Sequence, residues 1–296
     1  MKPVRLFWWS PRRTLKLLLP EVRHNSKAWL YLGLKTKRSL LNFGDELSPL
    51  IVRSITGRRV RWSAPDEADL VAIGSIFELA ARSAGTAAVW GTGLRADSDA
   101  ASALRLLDNI GPILAVRGPS TRTALRLADA TPLGDPGLLA TRLIDRKRRH
   151  SDELIVVPHF TAWNSIHGRQ QIAHLTSLGY GIVPPSLNPM DVIARIAQAR
   201  FVLSSSLHGV VIAHALGVPT QLLTNSRTSV REPMWKYHDY FKSLGSSVNT
   251  LAFDRLVHEK IVDQAFQERE AEAVQFQDAA THLSSALESA LTAHIS

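Results

Sequence analysis

The sequence reads as an α/β protein with parallel sheets flanked by helices, and two observations predict it. Short apolar runs of strand length alternate with segments of helical period, the pattern of strand–helix–strand units. In addition, the most hydrophilic internal stretch, Arg142 to Glu153, offers no apolar face to a core and divides the chain into residues 1–145 and 146–296. Each half runs strand, helix, strand, helix, which resembles a pair of Rossmann-like domains facing across a cleft.

In chain order, strands are expected at Val4 to Trp9, Leu70 to Ile73, Ala87 to Trp90 and Ile113 to Val116. The second half adds Leu154 to Val157, Gly181 to Val183, Phe201 to Leu203 and Thr220 to Leu223. Ser48 followed by Pro49 predicts a helix start with Ser48 as its cap, carrying Leu50, Ile51, Ile55 and Gly57. Helical period also marks Ala100 to Leu107, Ser120 to Leu127 with Ser120 as cap, Met190 to Ala199 and Leu207 to Leu216, the last stopped by Gly217-Val218-Pro219. From Leu251 onward the chain returns to a long helical pattern, as expected of a terminal helix spanning both domains. No internal repeat is visible.

The chain has 296 residues, 45% hydrophobic and 21% charged, which excludes general disorder. It has no Cys, and so no disulfide, thiolate nucleophile or cysteine-ligated cluster. The net charge of +9 suits a polyanionic partner: nucleic acid, an acidic lipid surface or a phosphorylated substrate. The excess sits in dispersed knots (Arg12, Arg13 and Lys16; Arg53, Arg58, Arg59 and Arg61; Arg142 and Arg146 to Arg149) with few interleaved aromatics, so no nucleic acid is expected. No span is apolar enough for a membrane-crossing helix and no secretory signal is legible, so a cytoplasmic location is expected. The aromatic and basic residues from Trp8 to Leu19 read either as a first strand with a solvated loop or as a peripheral contact with an anionic membrane.

The strongest chemical signal is Phe201 to Gly209, where a buried strand runs through three serines into a helix that begins near His208. In open α/β sheets ligands bind beyond the carboxyl ends of strands, and free helix N–H groups attract anions. There the His208 pKa would be lowered while the site is empty and raised by a bound anion, which suits acid–base work, and Gly209 beside it permits close ligand approach; the plainer reading is a helix-start histidine bonded to backbone. Asp45 in Asn42-Phe43-Gly44-Asp45 is either a base or hydroxyl-binding carboxylate or a turn former. Arg117 ends a strand, and its fork either binds phosphate or carboxylate or pairs with an acid such as Asp135.

Weaker signals are the Gly91-Thr92-Gly93 loop and His159 at another strand end. The Trp235-Lys236-Tyr237-His238-Asp239-Tyr240 segment reads as a sugar pocket or as helix packing, while His214 and Asp135 read as structural. No histidine spacing suits a metal, and none is expected.

Taken in order, Asn42/Gly44/Asp45, Gly91-Thr92-Gly93, Val116-Arg117 with Ser120, Asp135-Pro136 and Ser205 to Gly209 with Ala213, Gly217 and Pro219 resemble the polysaccharide pyruvyl transferase family, over roughly residues 40–245. The resemblance implies a GT-B-like fold and transfer of pyruvate from phosphoenolpyruvate, a co-substrate with no separate cofactor, onto two sugar hydroxyls as a ketal, with release of phosphate. The acceptor would be an exopolysaccharide or its lipid-linked oligosaccharide precursor. Arg117 would hold the donor, His208 would be the acid and Asp45 the base, with Asn42, Gly44, Thr92 and His159 as further substrate contacts. Some members carry Arg two residues before the His, where this chain has Ser206. Part of the phosphate grip is therefore assigned to backbone N–H groups of Ser206 and Leu207 or to Lys236. The alternative on the same fold is a glycosyltransferase using a nucleotide sugar.

Overall fold

The computed structural model describes residues 2–10, 26–36, 41–82, 85–96, 100–144, 151–224 and 233–295. The basic knots at Arg12 to Lys16 and Arg146 to Arg149, and the proposed division at 145/146, lie outside the described residues.

The first sheet holds β1 (Val4–Phe7), β2 (Val60–Trp62), β3 (Leu70–Val71), β4 (Ala88–Trp90) and β5 (Ile113–Ala115) in the order β2-β1-β3-β4-β5. The second holds β6 (Leu154–Val157), β7 (Gly181–Ile182), β8 (Phe201–Ser204), β9 (Thr220–Thr224) and β10 (Thr250–Ala252) in the order β10-β9-β8-β6-β7. Every pairing is parallel. Counted within its own half, each sheet has the strand order 2-1-3-4-5, so the topology repeats although the sequence does not. In both, the order reverses beside the first strand, and a ligand crevice opens at the carboxyl ends there.

The helices are α1 (Ser26–Thr36), α2 (Phe43–Thr56), α3 (Phe77–Ala81), α4 (Ala100–Arg105), α5 (Pro119–Ala124), α6 (Ile166–Ser177), α7 (Pro189–Gln198), α8 (Leu207–Leu216), α9 (Trp235–Ser243) and α10 (Glu259–Ile295). None is long and apolar enough to cross a membrane. One apolar cluster is continuous between the halves: Leu6, Leu47, Ile51 and Trp90 share it with Ile155, Val157, Ile193 and Ile212. Helix α10, about 55 Å long at 1.5 Å per residue, begins on the second half, where Val262 and Ala265 pack with Phe201. It ends on the first, where Leu287 and Leu291 are fully buried and the Leu287 carbonyl accepts the Trp90 indole N–H at 2.8 Å. Two facing parallel sheets bridged by a returning C-terminal helix make the GT-B-like arrangement.

Three local expectations are corrected. Helix α2 starts at Phe43, six residues before Pro49, with Asn42 preceding it. Ser48 is not its cap: the hydroxyl is fully buried and accepts the Ile73 N–H at 3.1 Å. Gly57 follows the helix with φ 62°, where a left-handed residue closes it. Helix α5 likewise starts at Pro119, with Gly118 as its cap position in place of Ser120. Leu251 opens no helix, because Thr250–Ala252 pairs with β9 as the sheet's edge strand.

The returning helix yields a stability prediction. Leu287→Ala should cost about 3 kcal/mol by opening a cavity in the shared core, whereas Val274→Ala on the exposed face should cost about 0.5 kcal/mol or less. Urea midpoints measure both, and equal losses would show that the end of α10 is not part of the core.

Candidate active site

A cavity of about 340 Å³ lies between the halves at the carboxyl ends of the strands. The first half lines it with Trp9 after β1, Asn42 and Asp45 at the start of α2, Ser75, Ile76, Glu78, Leu79 and Arg82 after β3, and Arg95 after β4. The second contributes His159 and Phe160 after β6, Ser206, Leu207 and His208 after β8, and Lys236 on α9. The site therefore occupies the reversal point of both sheets.

His208 stands in the first turn of α8, and the α2 backbone presses on its ring: a Cβ built on Gly44 would lie 1.9 Å from Nδ1. Gly44 is absent from the cavity wall and is glycine so that the imidazole fits; the expectation that it contacts substrate is corrected on that ground. Burial, then the charges of Lys236, Arg117 and His159, push the His208 pKa down to about 3. The lowered value was expected, but desolvation is the leading cause rather than the helix dipole. Nε2 is buried and has no hydrogen-bond partner.

Asp45 accepts a hydrogen bond from the Asn42 amide in the first turn of α2. Burial, reinforced by neighbouring Glu46 and opposed by Lys236 and by Asn42, pushes its pKa up to about 8. At neutral pH the carboxyl holds its proton and the imidazole lacks one, the reverse of the acid and base roles assigned from sequence.

Arg117 is not on the cavity wall. Its guanidinium is fully buried against Asp239 of α9, donating to Oδ2 at 3.1 Å, to the Leu94 carbonyl at 2.6 Å and to Ser75 Oγ at 2.7 Å. Asp239 also accepts from the Thr121 N–H at 2.9 Å and the Thr121 hydroxyl at 2.6 Å. The expected donor-binding arginine is thus a tie between the halves that aims Ser75 into the cavity, and its acid is Asp239 in place of Asp135. Asp135 caps the turn at Pro136, accepting from the Gly137 N–H at 2.8 Å.

Two more expectations shift. The Thr92 side chain is fully buried and off the wall, donating to the Gly74 carbonyl at 2.6 Å and accepting from the Ile76 N–H, so it shapes the loop that carries Ser75. The Ser206 N–H already donates to Ser204 Oγ at 3.1 Å and to the Val157 carbonyl at 3.4 Å, which leaves it no capacity for phosphate. Gly209 admits Ser204 rather than a ligand, since a Cβ there would lie 2.3 Å from Ser204 Oγ. Leu207, Lys236, His159 and Asn42 do line the cavity.

With this geometry in hand, comparison with known sequences is decisive: the family model for polysaccharide pyruvyl transferase matches residues 3–227. The chain belongs to that family. Among curated proteins, this pyruvyl transferase family member is similar to the succinoglycan biosynthesis protein ExoV of Rhizobium meliloti (strain 1021), with 28% identity over 134 residues, 45% of this chain and 40% of that protein. It is also similar to the uncharacterized protein L143 of Acanthamoeba polyphaga mimivirus, with 26% identity over 139 residues, 44% of this chain and 47% of that protein. The matches thus span less than half the length of either relative. Two solved structures described as UDP-N-acetylglucosamine 2-epimerases, one of them from Listeria monocytogenes, are each 13% identical with a TM-score of 0.44. The alignments cover 79% of this chain and 77% of the Listeria one, and 96% and 95% for the other pair.

The family match takes in every cavity residue except Lys236, which arrives on α9 beyond it. Sequence reasoning missed Trp9, Ser75, Glu78, Arg82, Arg95 and Phe160. The strand-end rule that singled out His159 applies equally to Trp9, Ser75 and Phe160. Arg82 and Arg95 come from a helix end and a loop, and had no such signal.

Two predictions follow from the buried charges of this pyruvyl transferase family member. Folded Asp45 keeps its proton to about pH 8, while the unfolded carboxyl loses it near pH 4, so its burial subtracts stability increasingly as pH rises between those values. Asp45→Asn should therefore raise the melting temperature at pH 8, by up to about 1.4 kcal/mol of added stability for each pH unit of the window, and give no gain below pH 4. A gain independent of pH would show that Asp45 is ionised in the folded protein. Asp239→Asn should cost about 3–5 kcal/mol by stranding the Arg117 charge, read by chemical denaturation; a loss under 1 kcal/mol would mean that water reaches the pair.

Proposed function

We propose that this protein transfers pyruvate from phosphoenolpyruvate to two hydroxyls of a sugar in an exopolysaccharide or its lipid-linked precursor, forming a ketal and releasing phosphate. The observation that carries the reading is the unpartnered Nε2 of His208, on a cavity shared with a proton-holding Asp45 and with Lys236. The family match and the name of the Rhizobium relative, a succinoglycan biosynthesis protein, support the acceptor class.

The donor is a small polyanion, and Lys236, Arg82 and Arg95 supply the opposing charge on the wall. Leu207 and His208, the first two residues of α8 and without helical carbonyl partners for their N–H groups, lie on the same cavity wall. Asp45 donates its proton to the methylene carbon of phosphoenolpyruvate, which leaves C2 oxocarbenium-like. The neutral imidazole of His208 takes the proton of the first sugar hydroxyl as its oxygen bonds to C2. The C2–O bond to phosphate breaks, the second hydroxyl closes the ring, and its proton leaves with phosphate as hydrogen phosphate. Return of the His208 proton to Asp45 restores the starting state. Of the two hydroxyl protons, one ends on the new methyl group and one on phosphate, so the cycle balances. Arg117 acts behind the wall by fixing Ser75 and, through Asp239, the helix that presents Lys236.

This allocation predicts kcat/KM falling on the alkaline side with an apparent pKa near 8, the loss of the Asp45 proton. Asp45→Asn and His208→Gln should each reduce turnover by about 100-fold or more with the fold retained. A flat profile through pH 9 would remove Asp45 as the donor, and native turnover in His208→Gln would remove the imidazole. Calorimetric titration separates this reading from nucleotide-sugar transfer: phosphoenolpyruvate should release binding heat and UDP-glucose should not, and the opposite result overturns the proposal.

A further inference from the structure

We infer that Trp9 and Phe160 form a saccharide-binding subsite, the wall of the cavity against which the acceptor's sugar ring stacks. The inference rests on the functional reading above and names the part of the cavity that reads the acceptor.

Trp9 follows β1 and Phe160 follows β6, so each half contributes one ring from the end of its first strand. The two rings are stacked with centroids 6.1 Å apart and planes 20° apart. Trp29 of α1, which is not on the cavity wall, braces both, 5.6 Å from Trp9 and 4.9 Å from Phe160. Across the same boundary the Asn164 side-chain carbonyl accepts the Ala28 N–H at 3.1 Å. The wall is thus fixed before any ligand arrives, and stacking on it costs little ordering.

Charge sorts the two substrates within the cavity. An aromatic face carries negative quadrupole density, so it attracts C–H groups and cations and repels phosphate and carboxylate. Phosphoenolpyruvate is driven to Lys236 and the arginines, leaving the aromatic wall for a ring whose faces are C–H and whose edge is hydroxyl. The polar groups such a ring needs adjoin the wall. The His159 ring is 4.3 Å from that of Phe160 and is held by the Thr161 hydroxyl at 2.9 Å, while the His159 backbone N–H donates to Ser205 Oγ at 2.9 Å, one residue from the cavity-lining Ser206. Asn42 and Asp45 face it from the first half. A sugar stacked there therefore presents its hydroxyl edge toward Asp45 and His208.

The test compares Phe160→Leu, which removes the ring, with Phe160→Tyr, which keeps it, in the full chain. Saturation-transfer NMR uses methyl β-glucopyranoside and methyl β-galactopyranoside as probes, and steady-state kinetics gives KM for acceptor and for phosphoenolpyruvate. Expected are ring-proton signals with the native protein and with Phe160→Tyr, and their loss in Phe160→Leu. The acceptor KM should rise about five- to tenfold in Phe160→Leu while the phosphoenolpyruvate KM stays within about twofold. Should Phe160→Leu fail to fold, Trp9→Leu against Trp9→Phe makes the same comparison. No saccharide signal with the native protein, or acceptor and donor KM rising together, overturns the subsite. The NMR needs no turnover, so a protein that binds saccharide without transferring pyruvate fails the functional reading and keeps the subsite. An active protein whose acceptor KM ignores the ring does the opposite.

Discussion

The chemistry of this cavity follows from exclusion of water where the two halves meet. The α2 backbone at Gly44 lies so close to the His208 imidazole that no side chain fits between them, and an apolar cluster continues behind the contact from one sheet to the other. A group held there cannot keep its charge cheaply. Burial consequently keeps the His208 imidazole neutral well below its usual range and leaves Asp45 its proton, although a carboxyl in water is ionised near neutral pH. The shifted protonation states belong to the interface between the halves, not to either half alone. The same dependence explains why Arg117 is spent on structure: paired with Asp239 and Thr121, it holds α9 and its Lys236 against the first half at the cost of direct access to the ligand.

The duplicated strand order gives this interface its symmetry. Each half places its crevice at the carboxyl ends of its paired first and third strands, where the strand order reverses, and facing the two crevices forms one cavity. One pair of groups comes in matched positions, an aromatic after each first strand (Trp9, Phe160); the polar helix starts do not match, since Asn42 and Asp45 open α2 before the second strand of one half and His208 opens α8 after the third strand of the other. The terminal helix stabilises the pairing by burying Leu287 and Leu291 in the first half after covering the second.

What the sequence made legible divides along physical lines. Eight strands announced themselves as apolar runs; β3, β4, β6, β8 and β9 did so because a strand covered on both faces has few polar positions to interrupt it, while β5 and β7 kept short apolar runs although they are partly exposed edges. The two unannounced strands, β2 and β10, are the opposite edges of their sheets, short and partly exposed, and Arg61 within β2 spoils any apolar run. Pro49 misled for a related reason. Proline favours the first turn of a helix, so it signals a start, but here tertiary burial of Phe43 and Leu47 extends α2 ahead of it. Strand-end position identified His208 and His159 correctly as cavity residues. It could not tell that Arg117 would face inward, since that depends on Asp239, 122 residues away.

Substrate binding must disturb the proton inventory of the empty site. Desolvation first, and then Coulombic opposition from Lys236, Arg117 and His159, depress the imidazole pKa. An anion bound beside Lys236 would cancel part of that repulsion, so affinity for the anion and affinity of His208 for a proton would rise together by the same coupling free energy. The same anion disfavours ionisation of Asp45, which holds its proton more firmly once the donor is bound. On the proposed reading, loading the donor would prepare both groups: the imidazole would become a stronger base toward the acceptor hydroxyl, and the carboxyl would be kept from losing its proton before the acceptor arrives. A histidine that had to stay charged would not be this deeply buried, and a carboxyl exposed enough to be solvated like a free one would not hold its proton at neutral pH as Asp45 does.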